Sequence, residues 1–106
     1  MLVITSKQDL EKSLAYYNTT LVVKFFNSSE PIHHEIAAAY NKHAKNVKYS
    51  RAKFAVFDIN GIDDPSLYNG KLEGFPCFIV YSNAKPIAMY TGTSIETLQV
   101  IINKYL

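Results

Sequence analysis

The segment of residues 21–26 constrains the fold more than any other part of the chain. Its sequence, Leu-Val-Val-Lys-Phe-Phe, is nearly continuous in β-forming residues and lacks polar alternation. This pattern is typical of a central strand that is covered on both faces. A short turn follows, and Pro31, whose fixed φ suits a first helical turn, predicts a helix from there to about Lys45. Because the first N–H groups of a helix lack intrahelical partners, this turn is a natural place for chemistry.

Three further helices are predicted from capping residues and apolar spacing. Ser6 caps the first, with Asp9 three residues later in the position of a capping box. A short helix begins at Pro65 and continues to about Asn69. Thr93 or Ser94 caps the last helix, and apolar residues then recur at helical spacing. Those residues are Ile95, Leu98, Ile101, Ile102 and Tyr105.

Strands are predicted between these helices, at residues 2–5, 53–58, 77–81 and 86–90. The last two form a hairpin across the turn at residues 82–85, and Pro86 favours a sheet edge for the second of them. The order is therefore β-α-β-α-β-α-β-β-α. The alternating half implies parallel strands, and the hairpin adds antiparallel ones. We expect one α/β domain over residues 1–106, with a mixed central sheet flanked by helices on both faces.

Composition excludes several classes of protein. At 48% hydrophobic and 19% charged residues, the chain falls in the globular range, and its net charge of +2 is too small to argue a nucleic-acid partner. No apolar stretch approaches the ~20 residues that span a bilayer, so we expect no membrane partner. The N-terminus does not resemble a signal peptide. If Met1 is the native start, the chain is expected in the cytoplasm; if the domain is excised from a secretory protein, it is not.

The element order and the residues that punctuate it resemble thioredoxin along essentially the whole chain, and the loop at Pro76 also resembles that of protein disulfide isomerase domains. Residues 21–26 look like the strand before the family's active site. Residues 56–60 look like the following strand with its acidic end, and residues 74–78 look like the cis-proline loop. Residues 90–93 look like the glycine turn before the last helix. The resemblance implies a thioredoxin fold.

The chain departs from this family at the residues that carry its chemistry. Aligned from Phe25, the family's Cys-x-x-Cys motif falls on Glu30, Pro31, Ile32 and His33. The family's buried carboxylate falls on Lys24, which we expect to be partly exposed or paired with Glu30 or Asp58. Disulfide exchange needs a thiolate at this turn, and Cys77 is the only cysteine in the chain. We therefore expect no dithiol oxidoreductase activity, no catalytic residue of that kind and no cofactor.

The resemblance leaves a different role open, because the family's cis-proline loop pairs with extended peptides without using sulfur. Phe75 and Pro76 would border a shallow groove together with Ser29, Gly92 and Thr93. We therefore expect a redox-inactive binding or chaperone-like module with a protein or peptide partner. An equal alternative is that Pro76 serves the architecture alone.

Two other hypotheses place reactive groups near the same turn. Glu30 and His33, three residues apart, could share one helix face as an acid/base pair. The favoured alternative is that Glu30 complements the helix dipole and His33 is a solvated first-turn residue. Cys77 could support monothiol chemistry, although a buried structural cysteine is favoured. No metal site is predicted, since four ligands cannot be named. The basic residues between Lys42 and Lys53 are interpreted as a solvated rim.

Overall fold

Runs of β-branched and aromatic residues form five strands in the computed structural model, which describes residues 1–62 and 74–106. The strands are β1 (Leu2–Ile4), β2 (Thr20–Phe26), β3 (Lys53–Asp58), β4 (Cys77–Ser82) and β5 (Lys85–Thr91). Three α-helices accompany them: α1 (Lys7–Tyr16), α2 (His34–Ala44) and α3 (Ile95–Tyr105). A 3₁₀ helix spans Val47–Tyr49. The short helix predicted at residues 65–69 lies outside the described residues.

The strands form one mixed sheet in the order β1-β3-β2-β4-β5, with β2 at its centre. Strand β3 is parallel to both β1 and β2, whereas β4 pairs antiparallel with β2 and with β5. The predicted mixed α/β sheet is thus confirmed, including the edge position of the proline-containing strand β5. Within β2, Lys24 lies opposite Val56 on one side and Phe78 on the other.

Side-chain alternation along the strands divides the core into two layers. On one face of the sheet, Leu21, Val23 and Phe25 of β2 pack with Ala55 and Phe57 of β3. On the other face, the strands pack against α2 and α3, and the buried residues there form a second cluster. That cluster contains Val22, Ile36, Tyr40, Tyr49, Phe54, Phe78, Val80, Leu98 and Ile102. The alternation predicted for β3 is confirmed, because its successive residues contribute to opposite clusters.

Tyr40 fixes α2 to the middle of the sheet. Its hydroxyl lies 2.7 Å from the carbonyl oxygen of Ala55 and 3.1 Å from that of Val22, so it can donate to either strand. The side chain is completely buried, and burial raises the pKa of its hydroxyl far above the ordinary range. Tyr40 therefore remains a neutral hydrogen-bond donor at physiological pH.

Capping side chains determine where α1 and α3 begin. The Ser6 hydroxyl accepts a hydrogen bond from the Asp9 N–H at 3.0 Å, as the sequence predicts. The Asp9 carboxylate accepts from the N–H of Thr5 rather than that of Ser6. Of the two residues predicted to cap the last helix, Ser94 does so, accepting from the Thr97 N–H at 3.2 Å. Both helices thus begin where a side chain satisfies a free backbone N–H.

The predicted start of α2 near Pro31 is wrong, because the helix begins at His34. His33 occupies the capping position with φ −94° and ψ 88°, and its side chain forms no capping hydrogen bond. Pro31 does not force the earlier start, since a φ near −65° suits extended backbone as well as a helix. Residues 30–33 are consequently non-helical and remain available to form part of a surface.

Candidate functional site

A hydrogen-bonded turn connects the carboxyl end of β2 to the non-helical residues 30–33. The Asn27 side-chain oxygen accepts from the Ser29 N–H at 3.0 Å and from its hydroxyl at 2.7 Å. The Asn27 carbonyl accepts from the Glu30 N–H at 3.0 Å. Asparagine favours such turns because its side chain can bond to backbone two residues later. These bonds fix the direction in which Glu30 leaves the sheet.

Asp58, at the end of the neighbouring strand β3, holds the same turn from the side. One of its carboxylate oxygens accepts from the backbone N–H groups of Ser28, at 3.1 Å, and Asn60, at 3.0 Å. Partial burial raises the pKa of this carboxyl, but hydrogen bonds from the Ser28 side chain and from the two backbone N–H groups outweigh it. The net result is a lowered pKa, so Asp58 is ionised at physiological pH.

A groove opens beside this turn and has a volume of about 480 Å³, including its open mouth. The turn and α2 form one wall, the loop before β4 forms the other, and two residues of β2 lie between them. The lining residues are Lys24, Phe26, Asn27, Glu30, Pro31, Ile32, His33, Ile36, Phe75 and Pro76. Most of the lining side chains are apolar, with Lys24, Glu30 and His33 as ionisable members.

The structure brings some of the predicted site residues together around the groove. The four positions aligned with the lost Cys-x-x-Cys motif, Glu30 to His33, line it together with Phe75 and Pro76. The Phe75–Pro76 peptide bond is cis. Ile32 is 64% exposed, which is high for an isoleucine beside a groove.

Ser29, Gly92 and Thr93 do not line the groove, although Ser29 and Gly92 are directly linked to residues that do. Ser29 precedes Glu30, and the Gly92 N–H donates to the Pro76 carbonyl at 3.1 Å. Gly92 has φ +150°, and a Cβ atom at this position would lie 2.6 Å from the Tyr90 hydroxyl oxygen. That hydroxyl accepts from the Ser94 N–H at 2.8 Å. Glycine is therefore required here by both backbone conformation and space.

Glu30 and His33 do not form the predicted shared helix face, because both precede the first residue of α2. Both side chains are exposed. Within the described part of the chain, the structure shows no hydrogen bond or ion pair between them. The side chains of a general acid/base pair must be oriented by a hydrogen bond to each other or to a third residue. Among the described residues, neither kind of bond is found for the side chains of Glu30 and His33.

Cys77, the other reactive candidate, is inaccessible. Its side chain is 0% exposed and packs in the cluster on the β1–α1 side of the sheet. Burial raises the pKa of the thiol, and a hydrogen bond with the Thr91 side chain offsets this only partly. A reactive cysteine needs exposure and a stabilised thiolate, and Cys77 has neither.

Lys24 is a half-buried cation in the groove. Burial lowers the pKa of its ammonium group, and no carboxylate contributes to the shift. Its Nζ lies 5.2 Å from the ring centroid of Phe26, within cation–π distance. Of the two predicted arrangements, partial exposure is therefore confirmed. Pairing with Glu30 or Asp58 is not found.

Four of the lining residues were not predicted from the sequence: Lys24, Phe26, Asn27 and Ile36. The alternation of β2 carried the information for two of them, since Val22, Lys24 and Phe26 must share one face. No sequence pattern indicates that Ile36 reaches the groove, because this depends on where α2 begins.

Among the described residues, no group of three or more His, Cys, Asp or Glu side chains could hold a metal ion. No helix in that same part of the chain is long and apolar enough to cross a bilayer.

The comparison with solved structures identifies the fold. Over its whole length the chain superposes on all of the Fasciola hepatica thioredoxin (TM-score 0.83, 21% identity) and on all of Plasmodium falciparum thioredoxin (0.84, 22%). It also matches the whole of the reduced Schistosoma mansoni thioredoxin pre-protein, with a TM-score of 0.80 and 24% identity. No family model and no curated protein sequence matches the chain. The predicted thioredoxin fold is confirmed, and identities this low establish the fold alone.

Proposed function

We propose that this thioredoxin-fold domain binds an extended segment of a partner protein in the groove and does not catalyse disulfide exchange. One observation carries the proposal. The positions that hold the two cysteines in the resembled family are occupied by Glu30 and His33, and these residues line an apolar groove together with Phe75 and Pro76. The chain therefore has a groove at these positions, although its single thiol, that of Cys77, is buried in the core.

The backbone at Phe75 supports binding of an extended chain. Among the loop hydrogen bonds of residues 1–62 and 74–106, none involves the N–H or the carbonyl of Phe75. Unpaired backbone groups at a groove can pair with a peptide as a strand pairs with a sheet edge. The half-buried Phe75 ring and the exposed Ile32 provide apolar contacts on the two sides of such a peptide.

The predicted groove residues outside the lining take supporting positions in this proposal. Gly92, through its hydrogen bond to Pro76, holds the loop before β4 against the end of β5. In this proposal, a longer peptide extends from the groove to Ser29 in the turn and to Thr93 before α3. Lys24 provides a cation beside the apolar contacts, so an acidic residue in the bound segment would be accepted.

A binding titration tests the proposal. The probe is reduced, carboxymethylated α-lactalbumin, an unfolded chain with blocked thiols, so that binding is measured apart from redox chemistry. Phe75→Ala is expected to weaken binding about tenfold, the effect of losing an apolar anchor. The control Val100→Ala truncates an exposed apolar side chain on α3 and should leave the affinity unchanged. Equal affinities for the wild type and Phe75→Ala would refute the proposal.

The absence of disulfide exchange is tested with insulin. With dithiothreitol present, insulin should precipitate no faster in the presence of the protein than without it, because no exposed thiolate is available. A clear acceleration would contradict the proposal and favour the monothiol alternative. Labelling of Cys77 by a thiol reagent should likewise occur only after unfolding. The variant Val100→Cys, with a thiol at an exposed α3 position, gives the prompt labelling expected of an accessible group.

A further inference from the structure

Seven basic residues lie at the end of the sheet opposite the groove. Crossover helices between parallel strands run back to the amino end of the next strand, so α2 ends where β3 begins. The end of α2, the connector after it and the first residue of β3 contribute Lys42, Lys45, Lys48, Arg51 and Lys53. Lys85 opens β5 opposite Ser82, which pairs with the first residue of β2. Lys104 lies in the last turn of α3.

We call these seven side chains the basic end: Lys42, Lys45, Lys48, Arg51, Lys53, Lys85 and Lys104. All seven are exposed. Contacts between elements confirm that the parts of this end meet. The Lys48 Nζ lies 3.4 Å from the Asn103 side-chain oxygen on α3, and the Lys53 Nζ lies over the Tyr17 ring at the end of α1.

The acidic side chains of the described residues are located elsewhere. Asp9 and Glu11 lie on the first two turns of α1, and Asp58 lies at the carboxyl end of β3. Glu30, Glu35 and Glu96 lie in the groove wall and in the first turns of α2 and α3. Among the described residues, positive charge is therefore concentrated at one end of the sheet, although the net charge of the chain is small. The basic end has no acidic neighbours among these residues to neutralise it.

Exposed apolar and aromatic side chains accompany these cations. Val47 is 86% exposed and lies between Lys45 and Lys48 in the connector. It is held outward because Tyr49, two residues later, is buried in the core and bonds to Asn103 through its hydroxyl. Tyr16, at the end of α1, is 79% exposed. The fold therefore exposes an aliphatic side chain, Val47, and a phenol ring, Tyr16, among the cations of the basic end.

We propose that the basic end binds the surface of an anionic lipid bilayer. Clustered lysines are attracted to anionic headgroups, tyrosines are enriched at the headgroup level, and a projecting aliphatic side chain can enter the acyl boundary. A nucleic-acid ligand accounts less well for the residues of this surface, because Val47 cannot stack on a base and only one of the seven cations is an arginine. A protein partner explains it less well too, since lysine is depleted at protein interfaces. We expected no membrane partner because no apolar stretch of the sequence is long enough to span a bilayer. A peripheral contact with the bilayer surface does not need such a stretch.

Co-sedimentation of the full chain with lipid vesicles tests this proposal. The wild type should bind vesicles containing phosphatidylserine, fail to bind vesicles of phosphatidylcholine alone, and dissociate as salt is added. The double variant Lys45→Gln/Lys48→Gln should lose affinity about tenfold or more. The control Lys12→Glu, on α1 away from the basic end, changes the net charge by the same amount and should bind as the wild type does. Val47→Ser should lose about fivefold, although it changes no charge.

Three results would overturn the proposal. The wild type could fail to bind phosphatidylserine vesicles at low salt. The Lys12→Glu control could lose as much affinity as the double variant, which would indicate attraction by net charge alone. Finally, single-stranded RNA could displace the protein from vesicles while Val47→Ser binds as the wild type does, which would assign the surface to nucleic acid. Circular dichroism of each variant excludes unfolding as the cause of lost binding.

Discussion

The groove end and the basic end of the sheet are constructed differently. At the groove end, an exposed turn is held by hydrogen bonds from Asn27 and Asp58, and the helix that follows begins without a side-chain cap. At the basic end, the connector between α2 and β3 is anchored by Tyr49, which is 6% exposed. The first arrangement leaves backbone and apolar groups facing a groove, whereas the second projects single side chains outward. This difference explains why we assign an extended peptide to one end and a lipid surface to the other.

The largest expected effect tests whether Tyr49 anchors the connector at the basic end. Tyr49→Ala should lower the free energy of unfolding by about 3 kcal/mol, because it removes a buried aromatic ring and leaves a cavity. Urea denaturation followed by circular dichroism measures this loss. The control Val47→Ala, two residues away but exposed, should change stability by less than about 0.5 kcal/mol. Similar losses in the two variants would show that the connector is not anchored by Tyr49.

Gly92 tests how tightly the groove end is packed behind the loop at Pro76. Gly92→Ala should cost about 2 kcal/mol, because φ +150° is strained for alanine and the new Cβ would contact the Tyr90 hydroxyl. Gly61→Ala is the matched control: its φ is +79°, and no atom of the described residues lies within 4 Å of the added carbon. It should cost about 1 kcal/mol. If thermal denaturation gave equal losses, the contact with Tyr90 would have no energetic consequence.

Asp58 tests the hydrogen bonds that hold the turn. Asp58→Ala should cost about 1 kcal/mol at neutral pH, less than Tyr49→Ala, because water can reach the N–H groups that lose their acceptor. The folded-state pKa of Asp58 lies below its ordinary 3.8, so its contribution is present above pH 3.8. It is lost as pH falls through the folded-state pKa. The stability difference between wild type and Asp58→Ala should therefore shrink in acid, and a constant difference would contradict this assignment.

Lys24 gives the smallest expected effect, and it has the opposite sign. Because burial lowers the pKa of its ammonium group, Lys24→Met should raise stability, by less than about 1 kcal/mol since the side chain is only half-buried. The gain is present at neutral pH and should vanish as pH rises through the folded-state pKa toward the ordinary 10.5. Thermal unfolding at neutral and alkaline pH measures both. A loss of stability at neutral pH would indicate a favourable partner for Lys24.

Sequence patterns predicted the sheet well because strand burial depends on local alternation. The bounds of β3 and the division of its residues between two faces follow directly from the order of Phe54, Ala55, Val56 and Phe57. The caps at Ser6 and Ser94 could be predicted for the same reason, since each acts on a backbone group three residues away. The start of α2 could not, because a proline is compatible with both extended and helical backbone.

The two binding surfaces could be predicted only in part. Phe75 and Pro76 were found through their resemblance to a known loop, but Lys24 and Ile36 reach the groove through tertiary packing. The basic residues near α2 were visible as a run and were interpreted as a solvated rim. Lys85 and Lys104 join them only because β5 begins, and α3 ends, at the same end of the sheet.

The central claim is that the two ends bind different ligands independently and that neither uses a thiol. It is tested most directly by measuring two variants against both probes, carboxymethylated α-lactalbumin and phosphatidylserine vesicles. Phe75→Ala should lose about tenfold in affinity for the unfolded protein and bind vesicles as the wild type does. Lys45→Gln/Lys48→Gln should show the reverse pattern. The claim would be contradicted if either variant lost affinity for both probes, or if Phe75→Ala kept full affinity for the unfolded protein.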